Sequence, residues 1–551
     1  MVLQLEIKFI KKLNCSLNFN GGSINMMYYI RLLKLKICPM KKLNIHIVIF
    51  FSLLTAISCN SKANEKSEKP NVIYILADDL GYSEVGCYGQ EKIETPNIDA
   101  LASNGMLFTQ HYAGAPVCAP SRCVLLTGKH LGHAQIRGND EWAERGPVWD
   151  FEAMALDPNL EGQRPLKPGT KTIGRLLQSA GYKTAVVGKW GLGAPLTEGI
   201  PNKQGFDFFY GYNCQRQAHT FFPVHLWKDT SKVLLNNKMV PPRTKLPEGA
   251  DAYNQQSYSD FWLTDYSAKL MQEEVLNFIR KNKDAPFFMY YANPIPHVPI
   301  QAPQKWVDYY LEKFGDEDPY IGDKGYFPHR YPHAGYAAMV SYLDEQVGEI
   351  VSLLKELGLY ENTIIMFSSD NGPSYVGGTD SPWFDSAKPF KSETGWGKGN
   401  VTEGGIRVPM IAQWPGKIAQ GTETELISAF YDILPTLCEI VGSEFPDDID
   451  GKSFLPTLLG KGTQEKHEFL YWEFPESGGQ QAVRMGKWKG IRKNVKKDSL
   501  HVQLYNLDED IQELKDVSNQ HPEIVKEIEA IFEKEHKMAV IEKFRMNALD
   551  R

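Results

Sequence analysis

Four short hydrophobic runs rich in β-branched or aromatic residues alternate along the chain with stretches of helical spacing. These runs are Val72–Ala77, Thr184–Gly188, Pro286–Ala292 and Thr363–Ser368. Apolar runs of this length, separated by helices, are typical of buried strands in a parallel sheet. The pattern therefore predicts an α/β fold with a large mixed, parallel-rich sheet flanked by helices.

Helical signals lie between these runs. Thr95-Pro96 combines a cap residue with a first-position proline and predicts a helix start, and 172–180 predicts a second helix. The clearest helix follows, because its apolar residues recur every three or four positions. They are Tyr336, Met339, Val340, Leu343, Val347, Ile350 and Leu354.

The last quarter of the chain has a different pattern. A predicted helix over 428–441 is followed by predicted strands at 469–474, 481–485 and 488–492, and then by a helix over 523–536. Strands grouped in this way predict an antiparallel sheet. We therefore expect a catalytic domain at 71–441 and a smaller α+β subdomain at 442–551.

Two long segments, 137–167 and 222–258, are rich in aromatic residues and proline. Neither shows a sustained strand or helix period. Long segments of this kind are commonly functional loops. We expect them to form walls around a pocket.

The N-terminal region resembles an export signal. Lys41 and Lys42 precede an apolar run over 45–57, and Ala56-Ile57-Ser58-Cys59 is similar to a bacterial lipobox. This predicts a lipoprotein signal peptide at 40–59, a lipid on Cys59 as the sole membrane contact, and a polar tether at 60–70. Residues 1–39 are either an upstream extension or sequence before the true start. The expected location is the periplasm or outer membrane of a bacterium.

The composition is that of an ordinary globular protein. The 551 residues are 42% hydrophobic and 23% charged, with a net charge of -7. There is no basic footprint for nucleic acid, so we expect no nucleic-acid partner. Any anion must be bound by local cations.

When Cys15 and Cys38 upstream, the predicted lipid site Cys59 and Cys118 are set aside, four of the eight cysteines remain: Cys87, Cys123, Cys214 and Cys438. Their spacing does not suggest a metal site. One disulfide is compatible with export, but the scattered spacing favours core thiols.

Acidic residues follow two of the predicted strands. Asp78-Asp79 come directly after the first run, and Asp370-Asn371 follow the last. Either pair alone would be read as a helix cap or turn. Two pairs at the carboxyl ends of strands instead favour a ligand site. An all-oxygen donor set suits calcium or magnesium, and we favour calcium.

The segment from Cys118 to Gly128 reads Cys-Ala-Pro-Ser-Arg-Cys-Val-Leu-Leu-Thr-Gly. It resembles the C-x-P-S-R-x-x-L-x-T-G signature of type I sulfatases, which belong to the alkaline-phosphatase-like superfamily. The resemblance implies that a maturation enzyme oxidises Cys118 to formylglycine. An isolated cysteine would more often be a buried hydrophobe. Pro120 suits a first helical turn, which would hold Cys118 and Cys123 too far apart for a disulfide.

The resemblance extends to the rest of the proposed site. Asp78-Asp79-Leu80-Gly81-Tyr82 and Ser369-Asp370-Asn371-Gly372 are similar to the two halves of the sulfatase metal site. In that family the formylglycine side chain, here at Cys118, completes the metal site. The implied metal ligands are Asp78, Asp79, Cys118, Asp370 and Asn371.

The same family supplies candidates for handling the sulfate group. Arg122, Lys189 and Lys398 are implied to bind its oxygens, and His297 is implied to be the general acid that protonates the leaving oxygen. Without this context, a lysine is usually on the surface and a histidine usually structural.

One position departs from the family pattern. The chain reads Gly188-Lys189-Trp190-Gly191-Leu192-Gly193, whereas the family commonly has histidine in place of Gly191. In the family that histidine contacts formylglycine and is linked to sulfate release. His219 is a candidate substitute, and Arg216 is a candidate sugar contact.

Together these features predict a sulfuric ester hydrolase similar to bacterial carbohydrate sulfatases and arylsulfatases. The expected substrate is a sulfated carbohydrate. Two alternatives stay open: a phosphonate or phosphate ester hydrolase of the same superfamily, and a non-catalytic glycan-binding lipoprotein, which the missing histidine would suit.

Overall fold

The structure is a computed structural model that describes residues 17–19, 22–24 and 69–551. Leu17–Phe19 (β1) and Gly22–Ile24 (β2) pair as antiparallel strands. The predicted signal peptide, the lipid site Cys59 and most of the tether lie outside the described residues. Residues 69–551 form one compact unit. In the described part of the chain, no helix has the length and hydrophobicity needed to cross a bilayer.

A ten-stranded mixed sheet forms the centre of this unit, in the order β13-β4-β12-β11-β3-β10-β6-β7-β8-β9. The strands are β3 Asn71–Ala77, β4 Met106–Phe108, β6 Lys183–Lys189, β7 Phe208–Tyr212, β8 His225–Lys228, β9 Ser231–Leu234, β10 Phe287–Ala292, β11 Thr363–Ser369, β12 Met410–Gln413 and β13 Thr422–Thr424. Strands β11, β3, β10, β6 and β7 are parallel to one another. The four runs predicted from hydrophobicity all lie in this parallel part.

Both faces of the sheet are covered. Val72, Tyr74 and Leu76 of β3 pack into the core on one face, and Ile73 and Ile75 pack into the core on the other. Because both faces are buried, the central strands are continuously apolar. This explains why they were recognisable in the sequence.

Twelve α-helices lie entirely within the described residues. They are α1 Pro96–Ser103, α2 Cys118–Thr127, α3 Phe151–Leu156, α4 Ile173–Ser179, α5 Ser267–Lys281, α6 Gln304–Phe314, α7 Pro332–Glu356, α8 Ser381–Phe384, α9 Glu403–Ile406, α10 Ile433–Val441, α11 Leu455–Leu459 and α12 Pro522–Glu535. All seven residues that predicted the longest helix are buried in α7. The predicted starts of α1 and α4 are also confirmed.

The C-terminal sheet has four antiparallel strands, one more than the sequence predicted. They are β15 Leu470–Phe474, β16 Gln480–Met485, β17 Trp488–Lys493 and β18 Gln503–Asn506. Helix α12 packs on this sheet through Ile528 and Phe532. The predicted α+β arrangement of this region is confirmed.

The prediction of a single helix over 428–441 was wrong. Ser428–Ala429 (β14) pairs with His111–Tyr112 (β5), and α10 begins only at Ile433. The Asp432 carboxylate accepts a hydrogen bond from the Ala429 N–H at 2.8 Å and holds the turn between strand and helix.

The segments predicted as loops also contain regular structure. Segment 137–167 includes α3, and segment 222–258 includes the β8-β9 hairpin, which extends the edge of the sheet. No alternating pattern marks this hairpin in the sequence, because the buried His225 and Trp227 are polar or amphipathic residues that form hydrogen bonds with Glu161. Both segments do contribute residues to one cavity, as predicted.

The described cysteines are all free thiols. Cys118 and Cys123 lie on the same helix, α2, as Pro120 predicted. Cys123, Cys214 and Cys438 are buried, and Cys87 is half-buried. The interpretation of these cysteines as core thiols is confirmed.

Candidate active site

Cys118 is the first residue of α2 and is almost completely buried. Its Sγ lies 3.3 Å from Asp78 Oδ1, 3.4 Å from Lys189 Nζ and 3.6 Å from Lys398 Nζ. The thiol thus lies between one carboxylate and two ammonium groups. This is an unusual position for a cysteine that serves only to fill the core.

The acidic residues come from the adjacent strands β3 and β11, whose last residues, Ala77 and Ser369, lie side by side. The Asp79 N–H donates to Asp370 Oδ1 at 3.1 Å, and Asn371 Nδ2 donates to Asp79 Oδ1 at 2.9 Å. Asp79 has a φ of 66°, a left-handed conformation that is uncommon outside glycine. The structure therefore brings both predicted acidic pairs into one cluster.

The donor set of this cluster fits a hard cation. Asp78, Asp79, Asp370 and Asn371 are buried and offer only oxygen atoms. Asn371 Oδ1 is buried and has no hydrogen-bond partner among the described residues. A buried acceptor without a partner normally binds an unseen ion or water. Asp78, Asp79, Cys118 and His297 also place ligand atoms close enough together for one metal ion.

Arg122 is on α2, four residues after Cys118. Its Nε and Nη2 donate to Asp370 Oδ2 at 3.0 and 2.9 Å, Nη2 lies 3.1 Å from Asp78 Oδ2, and Nη1 donates to the Lys189 carbonyl. All three nitrogens of this buried guanidinium are therefore engaged. Arg122 holds the carboxylates and the end of β6 in place.

The two lysines approach from other elements. Lys189 is the last residue of β6, and its Nζ is 2.7 Å from Asp78 Oδ2. Lys398 lies in the loop before α9, and its Nζ is 2.7 Å from an Asp79 carboxylate oxygen. Both ammonium groups therefore neutralise carboxylates while facing Cys118.

This charge distribution shifts the pKa values of Asp78, Asp370 and Cys118. Burial opposes ionisation of Asp78, but Lys189 and Arg122 hold its pKa well below its usual value. Burial and the charge of Asp78 raise the pKa of Asp370 to about 6. Burial, with Asp370 and Asp78, raises the pKa of the Cys118 thiol far above its usual value. The encoded thiol is thus a neutral group and a poor nucleophile.

His297 follows β10 and is buried beside Asp79. Its Nδ1 is 2.6 Å from the Val298 carbonyl, to which it donates, and its Nε2 is 3.7 Å from Asp79 Oδ2. Nε2 therefore faces the site. Burial and the two lysines lower the pKa of His297 well below its usual value.

His219 and Tyr326 surround the His297 ring. The His219 ring is stacked on His297, and the Tyr326 ring lies edge-on with its centroid 5.9 Å from that of His297. Tyr326 belongs to no motif, so sequence reasoning missed it. His219, proposed as a substitute for the missing histidine, instead stacks on the proposed general acid.

Arg216, the candidate sugar contact, is completely buried. Its Nη1 is 3.3 Å from Glu141 Oε2, and its Nη2 donates to the Leu160 carbonyl at 3.1 Å. The guanidinium also lies over the Trp149 ring, 5.4 Å from its centroid. Arg216 therefore supports an aromatic residue rather than reaching into open space.

The space beside Gly191 is filled by glutamine. A Cβ on Gly191 would lie 2.9 Å from Gln215 Cγ and 3.1 Å from Gln163 Oε1, and Gly191 has a φ of +79°. Gln215 Nε2 donates to Asn139 Oδ1 at 3.0 Å, and the same oxygen accepts from the Ala119 N–H at 3.1 Å. Amide side chains thus fill the space that a side chain at position 191 would take, and Asn139 links Gln215 to the backbone next to Cys118. No sequence motif marks these residues.

The loop that carries Lys398 is fixed by the C-terminal sheet. Gln480 of β16 donates to the Gly399 carbonyl at 2.9 Å and accepts from the Val401 N–H at 3.2 Å. Lys489 of β17 pairs with Glu403 of α9 at 2.8 Å, with both side chains buried. The C-terminal subdomain is therefore part of the framework of the site.

Comparison with known proteins agrees with this geometry. The sulfatase family model matches residues 70–443, and a second model, described as the C-terminal part of N-sulphoglucosamine sulphohydrolase, matches residues 392–539. The first match spans more than half of the chain. The chain therefore belongs to the sulfatase family.

Individual relatives are similar over most of their length. Human arylsulfatase A is 32% identical over 435 residues, which are 76% of this chain and 74% of that protein. N-acetylgalactosamine-6-O-sulfatase of Bacteroides thetaiotaomicron is 29% identical over 539 residues, which are 88% of this chain and 96% of that protein.

A solved structure, Ps i-CgsB in complex with k-i-k-neocarrahexaose, has a TM-score of 0.64 and 28% identity. The matched region covers 85% of this chain and 92% of the solved chain. The protein is a sulfatase with the α/β fold predicted from its sequence.

Proposed function

We propose that this sulfatase removes sulfate from a sulfated carbohydrate, with formylglycine at position 118 as nucleophile and calcium as the bound metal. The observation that carries the proposal is the position of Cys118 Sγ, within 3.6 Å of the buried Lys189 and the half-buried Lys398 and 3.3 Å from Asp78. A thiol with a strongly raised pKa is unsuited to attack. The site therefore suits an oxygen nucleophile made from the cysteine.

Sγ marks the place that the oxygens of the hydrated aldehyde would take. The modification supplies two hydroxyls on one carbon, of which one attacks sulfur and the other later expels sulfate as the aldehyde re-forms. A serine in the same place would leave a sulfate ester that needs water for its release. The proposal requires a formylglycine-generating maturation enzyme in the producing cell.

Asp78, Asp79, Asp370 and Asn371 would hold the calcium ion. When bound, calcium would favour the ionised form of a hydroxyl and offset negative charge on the sulfate oxygens. The unpartnered Asn371 Oδ1 and the absence of soft ligands from this set of four support calcium over zinc.

The chain's own cations complete the site. Lys189 and Lys398 both lie beside position 118, so their ammonium groups can bind sulfate oxygens as charge redistributes in the transition state. Arg122 has a contact at each of its three nitrogens and acts by positioning Asp78 and Asp370. This refines the role inferred for it from the sequence motif.

His297 is proposed as the general acid. Its Nδ1–H is committed to the Val298 carbonyl, so Nε2 faces the site without a proton in the free enzyme. The negative charge of a bound sulfate ester would raise the pKa of His297, so that Nε2 takes up a proton and passes it to the leaving oxygen. A sugar alcohol is a poor leaving group without this proton.

A carbohydrate substrate is supported by the relatives. One is named for N-acetylgalactosamine 6-sulfate and is similar over 96% of its length, and a structural neighbour was solved with a bound hexaose. Export and a lipid on Cys59 belong to the same proposal, because they would place the enzyme where large glycans occur.

The decisive experiment is mass spectrometry of the peptide that contains Cys118, on protein made in a host with the maturation enzyme. An aldehyde at Cys118, together with release of sulfate from 4-nitrophenyl sulfate or N-acetylgalactosamine 6-sulfate, would support the proposal. The Cys118→Ala variant is the control and should be inactive.

Other outcomes would favour the alternatives. Faster turnover of phosphonate or phosphate diesters than of sulfate esters would indicate the phosphonate hydrolase. An unmodified thiol, with equal glycan binding by wild type and Cys118→Ala and no turnover by either, would indicate a binding protein.

A further inference from the structure

A cavity of about 500 Å³ opens next to the candidate active site. Its volume lies in the range of pockets that hold small organic ligands, of about 300–1,000 Å³. The two loop segments identified in the sequence supply most of its wall. It is lined by Trp149, Asp150, Phe151, Glu152, His219, Pro241, Pro242 and Arg243.

The cavity adjoins the site at His219. This residue lines the cavity, and its ring is stacked on that of His297, with 5.6 Å between the ring centroids. His297 Nε2 in turn is 3.7 Å from Asp79 Oδ2. A ligand in the cavity would therefore be separated from the proposed general acid by a single ring.

Trp149 is the most distinctive wall residue. Its side chain is 57% exposed, which is unusual for so large an apolar residue. One side of the indole is held by the Arg216 guanidinium, 5.4 Å from the ring centroid. Because Arg216 is itself buried and paired with Glu141 at 3.3 Å, the indole is held before any ligand arrives.

Two polar residues of the cavity wall, Asp150 and Arg243, differ in whether their side chains already have hydrogen-bond partners. The Asp150 carboxylate caps α3 by accepting from the Glu152 and Ala153 N–H groups at 3.1 and 3.0 Å. Arg243 is exposed and has neither an ion pair nor a hydrogen bond from its side chain within residues 69–551. Its guanidinium is available to donate hydrogen bonds to a ligand.

We propose that this cavity is a second sugar subsite, in which a ring neighbouring the sulfated one stacks on Trp149 and receives hydrogen bonds from Arg243. The C–H groups of a pyranose ring carry partial positive charge and suit the negative face of an indole. This inference rests on the proposed function and narrows its substrate to an oligosaccharide. The enzyme then prefers a sulfated disaccharide to the matching sulfated monosaccharide.

The test compares Trp149→Ala with wild type, both carrying formylglycine. The probes are matched monosaccharide and disaccharide sulfates prepared from chondroitin 6-sulfate, heparin and ι-carrageenan. For the pair that is cleaved, we expect the ratio of kcat/KM for disaccharide over monosaccharide to fall about tenfold in Trp149→Ala. Trp149→Phe should retain most of the ratio, because it keeps an aromatic face.

Leu156→Ala is the matched control. Leu156 is the last residue of α3, the helix that begins two residues after Trp149; it is 85% exposed and does not line the cavity, so its substitution should leave the ratio at the wild-type value. An equal fall in Leu156→Ala would attribute the effect to α3 as a whole and overturn the inference.

Two other results would count against the second sugar subsite. An unchanged ratio in Trp149→Ala, or wild-type protein that cleaves none of the disaccharides faster than its monosaccharide, would overturn the subsite. The proposed function would be judged separately, by the aldehyde at Cys118 and by turnover of 4-nitrophenyl sulfate.

Discussion

The imidazole rings of His219 and His297 are stacked, with their centroids 5.6 Å apart and their planes 10° from parallel. The Val298 carbonyl accepts a hydrogen bond from Nδ1 of His297 at 2.6 Å. His297 is therefore held by a neighbour on its face and by a hydrogen bond at one nitrogen. The other nitrogen is left facing Cys118 and its lysines.

Replacing His297 should affect substrates according to their leaving group. We expect His297→Asn to lower kcat for a sugar sulfate by about 10²–10⁴-fold, since the alcohol then leaves without a proton. For 4-nitrophenyl sulfate the loss should be much smaller, because nitrophenolate leaves unaided. Steady-state kinetics on both substrates measure this, with the exposed His501→Asn as control. Equal losses on the two substrates would contradict a general-acid role.

Lys189 should support stability as well as activity. Lys189→Met leaves the buried Asp78 carboxylate with one cation fewer, and breaking a buried ion pair typically costs about 3–5 kcal/mol. Arg122 should keep the loss at the lower end of this range. Urea unfolding in calcium-free buffer measures the effect, with the exposed Lys283→Met as control.

A double variant separates the two roles of Lys189. Asp78→Asn added to Lys189→Met removes the unpaired charge, so stability should recover while activity does not. Failure of the second substitution to restore any stability would show that the loss arises from packing and not from charge.

Gly191 should not tolerate the histidine that related sequences carry. In Gly191→His the new Cβ would contact Gln215 Cγ at 2.9 Å, and the left-handed backbone adds about 1–2 kcal/mol. Removing the obstruction in Gly191→His/Gln215→Ala should recover part of the lost stability and kcat. Unfolding and kinetic measurements on the two single variants and the double variant would show this. A Gly191→His protein as stable as wild type would refute the predicted clash.

Calcium should raise the melting temperature of the protein. A ligand present at about 100 times its Kd stabilises the folded state by about 2.7 kcal/mol. Asn371→Leu removes a buried oxygen donor and should abolish most of the shift. Scanning calorimetry with calcium, magnesium or chelator measures it. A shift with magnesium and none with calcium would reassign the metal.

The contact between α12 and the rest of the protein should weaken at alkaline pH. His536 Nδ1 lies 2.8 Å from Glu473 Oε2, and this hydrogen bond raises the pKa of His536 above its unfolded value. The stabilisation is fully present below the unfolded pKa of about 6.5 and is lost as pH rises through the folded pKa. A hydrogen bond to a charged group contributes about 1.5–3 kcal/mol.

Thermal unfolding between pH 6 and 9 tests this contribution. His536→Gln should flatten the pH dependence, whereas the exposed His501→Gln should keep it. The same slope in His536→Gln and wild type would assign the pH dependence to another group.

The fold was predictable where local pattern and burial agree. The central strands are buried on both faces and therefore read as apolar runs, and α7 keeps its apolar spacing over 25 residues. The β8-β9 hairpin was missed because its stability comes from edge pairing and from Glu161, which lies in another segment. Such contacts leave no local period.

In the candidate site, too, residues placed by strand ends were predictable and residues placed by tertiary packing were not. Asp78, Asp79, Asp370 and Lys189 follow or end strands, so their meeting could be expected from the sheet. Gln215, Tyr326 and Gln480 take their positions from tertiary packing, and no short motif identifies them. The resemblance at Gly191 showed what was missing, and only the structure showed which side chain occupies the space.

The bond between Gln480 and the loop of Lys398 also sets an order of events in time. Residue 118 is made early in synthesis, whereas β16, which holds the Lys398 loop, is made more than 350 residues later. Until β16 has been added, this loop lacks both hydrogen bonds with Gln480 and keeps only contacts with residues made earlier, such as the bond from the Gly399 N–H to the Pro116 carbonyl. Under the proposed function, this interval would give the maturation enzyme access to a side chain that the finished protein encloses almost completely.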